Sequence, residues 1–237
     1  MSSVAAGGCG GLRALRLFSL TAALAGAGCF SPRVVAAPGM EKTMAYEPKS
    51  YEHLKGSLKG LSDSQLEQHF TLYKGYVAKL NEIEAKLAEA DNSKANYSFN
   101  EYSELKRREA VAFNGSFLHE LYFENLGPCD SIAPELQAAL DAQGGTQKIL
   151  ADLKAAALCG PGWALLTRNR RDGKLHTYFI AEHHLGLPIE QDLLIVLDSW
   201  EHAFMVDYGI KRPDYLDAFM QNIKWGEVSK RFMRAVK

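Results

Sequence analysis

The sequence predicts an α+β protein: an N-terminal antiparallel helical hairpin, then a C-terminal three-stranded antiparallel sheet with flanking helices. Three observations carry this expectation. From Leu61 to Leu126 apolar residues recur at helical spacing around one polar interruption. From Gly162 to Asp198 the pattern changes to short apolar or alternating runs divided by a turn. From Pro213 the helical period returns.

The elements follow in order. Residues 1–40 carry Arg13, Arg16 and Arg33 but no acid before Glu41, around an apolar run from Leu17 to Ala25. That run is too short for a mature transmembrane helix, and the basic start with small residues at Val35-Ala36-Ala37 has the layout of a cleavable targeting leader. Export is the expectation, to the periplasm or outside the cell, with import into a mitochondrion or plastid as the alternative. After it, 41–127 is expected to form the hairpin domain and 128–237 the α+β domain. Ser62 and Asp63 cap a helix whose apolar face is Leu66, Phe70, Tyr73, Val77 and Leu80. A separate helix is expected over Glu82 to Ala90, then a polar break, "DNSKANYS", from Asp91 to Ser98. Another starts near Glu101, charged at first and apolar through Val111, Phe113, Phe117, Leu118, Leu121, Tyr122 and Leu126. "GPCDS", Gly127 to Ser131, marks the boundary. Helices are expected over Pro134 to Ala142 and Thr146 to Ala157. "GWALLTRN" and "LHTYFIAEH" then form a hairpin across Asp172-Gly173, and "DLLIVLD" is the third strand.

Composition excludes some functions. Hydrophobic residues make up 47% and charged residues 23%, and the net charge is -1. This is an ordinary globular balance with no electrostatic footprint for nucleic acid, and no stretch after the leader is long enough to span a membrane. Two of the four cysteines lie in the leader, and Cys129 and Cys159 lack zinc spacing and are expected to be free and buried.

Seven histidines are present. His69 and His119 lie on apolar helix faces, where a lone histidine is more often a core residue than a ligand. Asp198 and His202 give a stronger signal. An acid ending a buried strand does not stay ionised without a strong partner, since desolvation costs several kcal/mol. A metal cation is such a partner and would hold His202 neutral through its lone pair. Three imidazoles and one carboxylate suit iron, manganese or zinc.

"DSWEHAF" followed by "DYGIKRPDYLDAFMQNIKW" resembles the C-terminal signature of the iron/manganese superoxide dismutases. "AVAFNGSFLHELYFENLG", "LSDSQLEQHFTLYKGYVAKLN" and "GPGWALL" are similar to that family's other segments, in order from Tyr51 to Trp225. The resemblance implies one metal ion per chain held by His69, His119, Asp198, His202 and solvent, and conversion of superoxide to dioxygen and hydrogen peroxide. It implies that Tyr76 guards the substrate channel, that Trp163 and Trp200 form the apolar shell, and that Glu201 crosses a homodimer interface to the partner's His202. Lys79 and Arg212 are candidates for steering the anion. His183, or else His184, stands where the manganese forms place the glutamine that touches bound solvent. Lack of that glutamine favours iron over manganese.

The sequence also departs from the family. His69 to Tyr76 is one residue shorter than the usual interval. Seven steps of about 100° still return almost to the same helix face. Tyr73 and Met205 replace a histidine and a tyrosine of the usual outer network. The alternative function is therefore an inactive, dismutase-like exported binding or structural protein.

Overall fold

The computed structural model describes residues 45–236. The expected leader, with Cys9 and Cys29, lies outside the described residues. The described residues form one compact unit.

α1 spans Asp63–Glu89. Ser62 caps it, its side chain accepting from the Gln65 amide at 3.1 Å. The separate helix expected from Glu82 does not form. The 27 residues run without a break, because Leu80 and Ile83 continue the buried stripe against Ala112. Neither glycine nor proline follows Gly75 before the helix ends at Glu89. α2 spans Glu101–Glu124, capped by Asn100 accepting from the Ser103 amide. The two helices are antiparallel: His69, early in α1, meets His119 and Phe123, late in α2. Leu87, late in α1, packs on the same small cluster as Leu105, early in α2.

Two helices, α3 at Pro134–Asp141 and α4 at Thr146–Ala157, lead into the sheet. Its strands are β1 at Trp163–Asn169, β2 at Leu175–Ile180 and β3 at Gln191–Asp198. They are antiparallel in the order β2-β1-β3, as expected. β1 is the central strand and its first five residues are buried, which explains the continuous apolar run Trp163 to Leu166. The register sets Trp163 opposite Asp198. Gly162 has φ +148°, and a Cβ there would lie 2.2 Å from the Ile180 carbonyl oxygen, so the tight entry to β1 requires glycine.

The C-terminal part is helical from Pro213, as expected, but in separate pieces. A short α5, Met205–Tyr208, is followed by α6, Arg212–Gln221, and α7, Trp225–Ala235. The break falls at Asn222 to Lys224, where the backbone pairs with the end of α2: Gly127 N donates to Asn222 O, and Lys224 N to Asn125 O. Tertiary pairing overrides the helical period there. Arg231 of α7 is buried and ties the two halves together. It donates to Asn125 Oδ1, the Leu194 and Leu121 carbonyls and Glu124 Oε2, at 2.8 to 3.1 Å. One hydrophobic core runs through both halves, from Leu66 and Phe123 through Leu165 and Val196 to Phe219 and Val228. Cys129 and Cys159 are free as expected but exposed rather than buried. No described helix is long and apolar enough to cross a membrane.

Candidate metal centre

The core carries four polar side chains that an apolar interior does not tolerate without a reason. His69, His119 and Asp198 are buried and His202 is largely so. One ligand atom from each lies within 4.8 Å of all the others. α1 supplies His69, α2 supplies His119, the end of β3 supplies Asp198, and the turn after it supplies His202. The first two come together because the hairpin is antiparallel, the last two because only four residues separate them.

Hydrogen bonds around the rim fix the orientation of each group. Asp198 Oδ1 accepts from the Trp200 amide at 2.9 Å, which leaves Oδ2 facing inward. Three imidazole nitrogens converge on that oxygen: His202 Nε2 at 3.0 Å, His69 Nε2 at 3.2 Å and His119 Nε2 at 3.5 Å. His119 Nδ1 donates to the Gly115 carbonyl, so in the neutral ring Nε2 carries a lone pair. Nε2 is buried and has no hydrogen-bond partner. A lone pair thus faces a carboxylate oxygen with no proton between them. A cation removes that conflict, and imidazole with carboxylate donors suits a first-row transition metal.

Electrostatics agree. Burial lowers the pKa of His69 and lowers that of His119 further, so both stay neutral. Burial alone would raise Asp198, but His202 and His69 outweigh it and hold the carboxyl well below its usual range. Burial would lower His202, and the Asp198 charge reverses that. For His69 and His119, a depressed folded-state value means that the unfolded chain binds more protons below about pH 6.5, so stability falls on acidification. Asp198 acts in the same direction at lower pH. His202 opposes them, adding stability below about pH 6.5 that is lost as pH rises through its raised value. Protons also compete with a metal for the same lone pairs. A falling melting temperature with release of bound metal is therefore expected as pH drops from 7 toward 5, checked by calorimetry with elemental analysis.

The remaining expected site residues divide between near and far. His183, only 5% exposed, lies beside the cluster. Trp163 Nε1 donates to its Nδ1 at 2.9 Å, so in the neutral ring Nε2 carries the proton and donates to the Tyr76 hydroxyl oxygen at 2.7 Å. Tyr76 stacks on His119 with centroids 5.4 Å apart, and its own O–H stays free to donate. Burial and the Asp198 charge raise the Tyr76 pKa, which keeps that proton in place. The shorter His69–Tyr76 interval on an unbroken α-helix thus still brings both rings to His119. His184 makes no contact with the four; its Nδ1 is buried without a partner. Trp200 stacks near-parallel to His202 at 6.3 Å, beside His183. Glu201 is half-exposed and approaches Arg212 at 3.4 Å. Lys79 pairs with Glu82 on the surface. Tyr73 turns away, donating to Glu120 Oε1 at 2.8 Å and accepting from the Lys49 amide.

Sequence reasoning missed three supports. Gln65, four residues before His69, donates to the His202 carbonyl at 2.6 Å and accepts from the Val206 amide, latching the histidine turn to α1. Its signal was an amide on the same helix face as His69. Tyr215 donates to the Asp198 carbonyl at 2.6 Å. Gly115 has the Tyr76 ring where a side chain would stand: a Cβ would lie 2.5 Å from it. Gly115→Ala is expected to displace Tyr76 and slow turnover about 10- to 100-fold, while leaving metal content unchanged. Steady-state kinetics with elemental analysis would check this.

Fold and cluster together define a class: an α+β protein with one buried site suited to a single metal ion. Known proteins make the class specific. The family model described as iron/manganese superoxide dismutases, C-terminal domain, matches residues 132–231. A superoxide dismutase (Fe) of Aquifex pyrophilus is 44% identical over 199 residues, 81% of this chain and 92% of that protein. One from Cupriavidus metallidurans is 37% identical over 204 residues, covering 82% of this chain and 100% of the relative. A superoxide dismutase (Mn) of Mycolicibacterium smegmatis is 33% identical over 191 residues, 77% of this chain and 86% of the relative. The chain belongs to the iron/manganese superoxide dismutase family.

Proposed function

We propose that the protein disproportionates superoxide: two superoxide anions and two protons become dioxygen and hydrogen peroxide. The observation that carries this is the convergence of three imidazole nitrogens on Asp198 Oδ2, with His119 Nε2 buried and unpaired. His69, His119, Asp198 and His202 would hold one iron or manganese ion, which supplies one-electron cycling when bound. The 44% and 37% identity to two relatives named for iron, against 33% to one named for manganese, supports iron. The protein's own groups handle protons and access. Tyr76, held by the His183 N–H, presents its O–H beside the cluster and delivers a proton to the peroxide being formed. Trp163 fixes the His183 tautomer and, with Trp200, keeps the surroundings apolar. A homodimer through Glu201 and His202 is part of the reading. It is supported by the half-exposed Glu201 carboxylate and by the buried, unpaired Trp200 Nε1 and Arg212 Nε beside it. The acid-free basic leader supports an exported protein.

The test is reconstitution of the purified chain with iron or with manganese, following superoxide decay and metal content. Rapid decay with one ion per chain is expected, and Tyr76→Phe should slow it at high superoxide without loss of metal. A chain that binds one ion but leaves superoxide decay at the rate of free solution would overturn the reading.

A further inference from the structure

A cavity lies along the helical hairpin, formed by Ile83, Leu105, Val111 and Ala112 and walled by Phe99. Its volume is about 550 Å³, within the range of small-molecule sites. Two features set it apart from ordinary helix packing. Phe99 is 77% exposed, a large aromatic that folding does not bury. The polar groups around the apolar floor include three cations, Lys79, Lys86 and Arg108. Lys79 and Lys86 share one carboxylate, Glu82, whose pKa their hydrogen bonds lower to about 2. Arg108 has no ion-pair partner among the described residues, whereas its neighbours Lys106 and Arg107 are each paired. Of the acids at the rim, Glu104 is already engaged by Arg107, and Glu101 lies near enough to Lys86 to help raise its pKa, so the lining acids are set against the other cations and not against Arg108. An apolar slot with an unpaired guanidinium at its edge is complementary to a molecule that is greasy along its length and anionic at one end.

We propose that this groove binds an amphiphilic organic anion, specifically a medium-chain carboxylate. The tail lies on Ile83, Leu105, Val111 and Ala112 under Phe99, and the carboxylate meets Arg108, with Lys79 and Lys86 alongside. Tyr76 is also part of the lining, so an occupant would lie against the ring whose hydroxyl contacts His183. Binding itself does not depend on the proposed reaction. The groove and its cations stand whatever chemistry the buried cluster performs.

Isothermal titration of the metal-loaded full chain with decanoate tests this. One saturable site per chain is expected. Octanoate should bind about tenfold more weakly, since each lost methylene removes about 0.8 kcal/mol of burial. Decanol should also bind at least about tenfold more weakly, having lost a charge-assisted contact. Phe99→Ala and Arg108→Ser, both at exposed positions where folding is undisturbed, should each weaken decanoate by a similar factor. No saturable binding, or equal affinity for decanol and decanoate, would overturn the proposal. So would sedimentation showing that Phe99→Ala disperses an oligomer, since a second copy of the chain would then be the occupant.

Discussion

Replacing Asp198 with alanine is expected to remove the metal and with it all superoxide decay above background. The argument is electrostatic. Asp198 is the only anion among the four groups, and Oδ2 is the atom on which three ring nitrogens converge. Without it, three neutral imidazoles would have to bind a divalent or trivalent ion with no compensating charge in a buried site. Loss of a residue that merely orients a ligand costs 10- to 100-fold in affinity, so loss of the carboxylate itself should cost at least about a hundredfold. The substitution also frees the Trp200 amide that Asp198 Oδ1 accepts from, but the Tyr215 hydroxyl still holds the Asp198 carbonyl, so the end of β3 keeps an anchor. Elemental analysis beside superoxide decay measures both effects, and an Asp198→Ala protein that kept one tightly held ion would refute the assignment.

The second large effect is expected from Arg231→Met, far from any chemistry. The side chain is 6% exposed and satisfies five partners with its guanidinium, Glu227 being the fifth. Methionine replaces the stem but leaves Glu124, Asn125 and two carbonyls facing a gap. Breaking one side of a buried charge network costs about 3–5 kcal/mol, a large share of a typical stability of about 5–15 kcal/mol. Arg231→Lys should recover little, since a single ammonium cannot reach acceptors served by Nη1, Nη2 and Nε. Denaturant unfolding of the three proteins gives the comparison.

Residue chemistry made part of this molecule legible and left part obscure. Asp198 stood out because a carboxylate ending an apolar strand needs a partner, and His202 followed four residues later. His69 and His119, taken singly, looked like core histidines; only the series of motifs around them tied them to the same centre. The single α1 was read as two helices, the second from Glu82, whereas Ile83 keeps the buried face continuous. The interruption at Asn222 to Lys224 was invisible because it depends on backbone pairing with residues nearly a hundred positions away. Spacing favoured His183 over the adjacent His184 but only narrowly. Trp163, brought beside His183 by the strand register, distinguishes them. Arg231 had no local signature at all, being one basic residue in the run "KRFMRAVK".

Arg231 follows all four members of the quartet in chain order, yet it fastens the α2 end to β3 and α7. On the ribosome, therefore, every ligand is made before the clamp that holds two of their supporting elements together. A message truncated between His202 and Arg231 would yield a product with a complete donor set but without the clamp that fastens the elements around it.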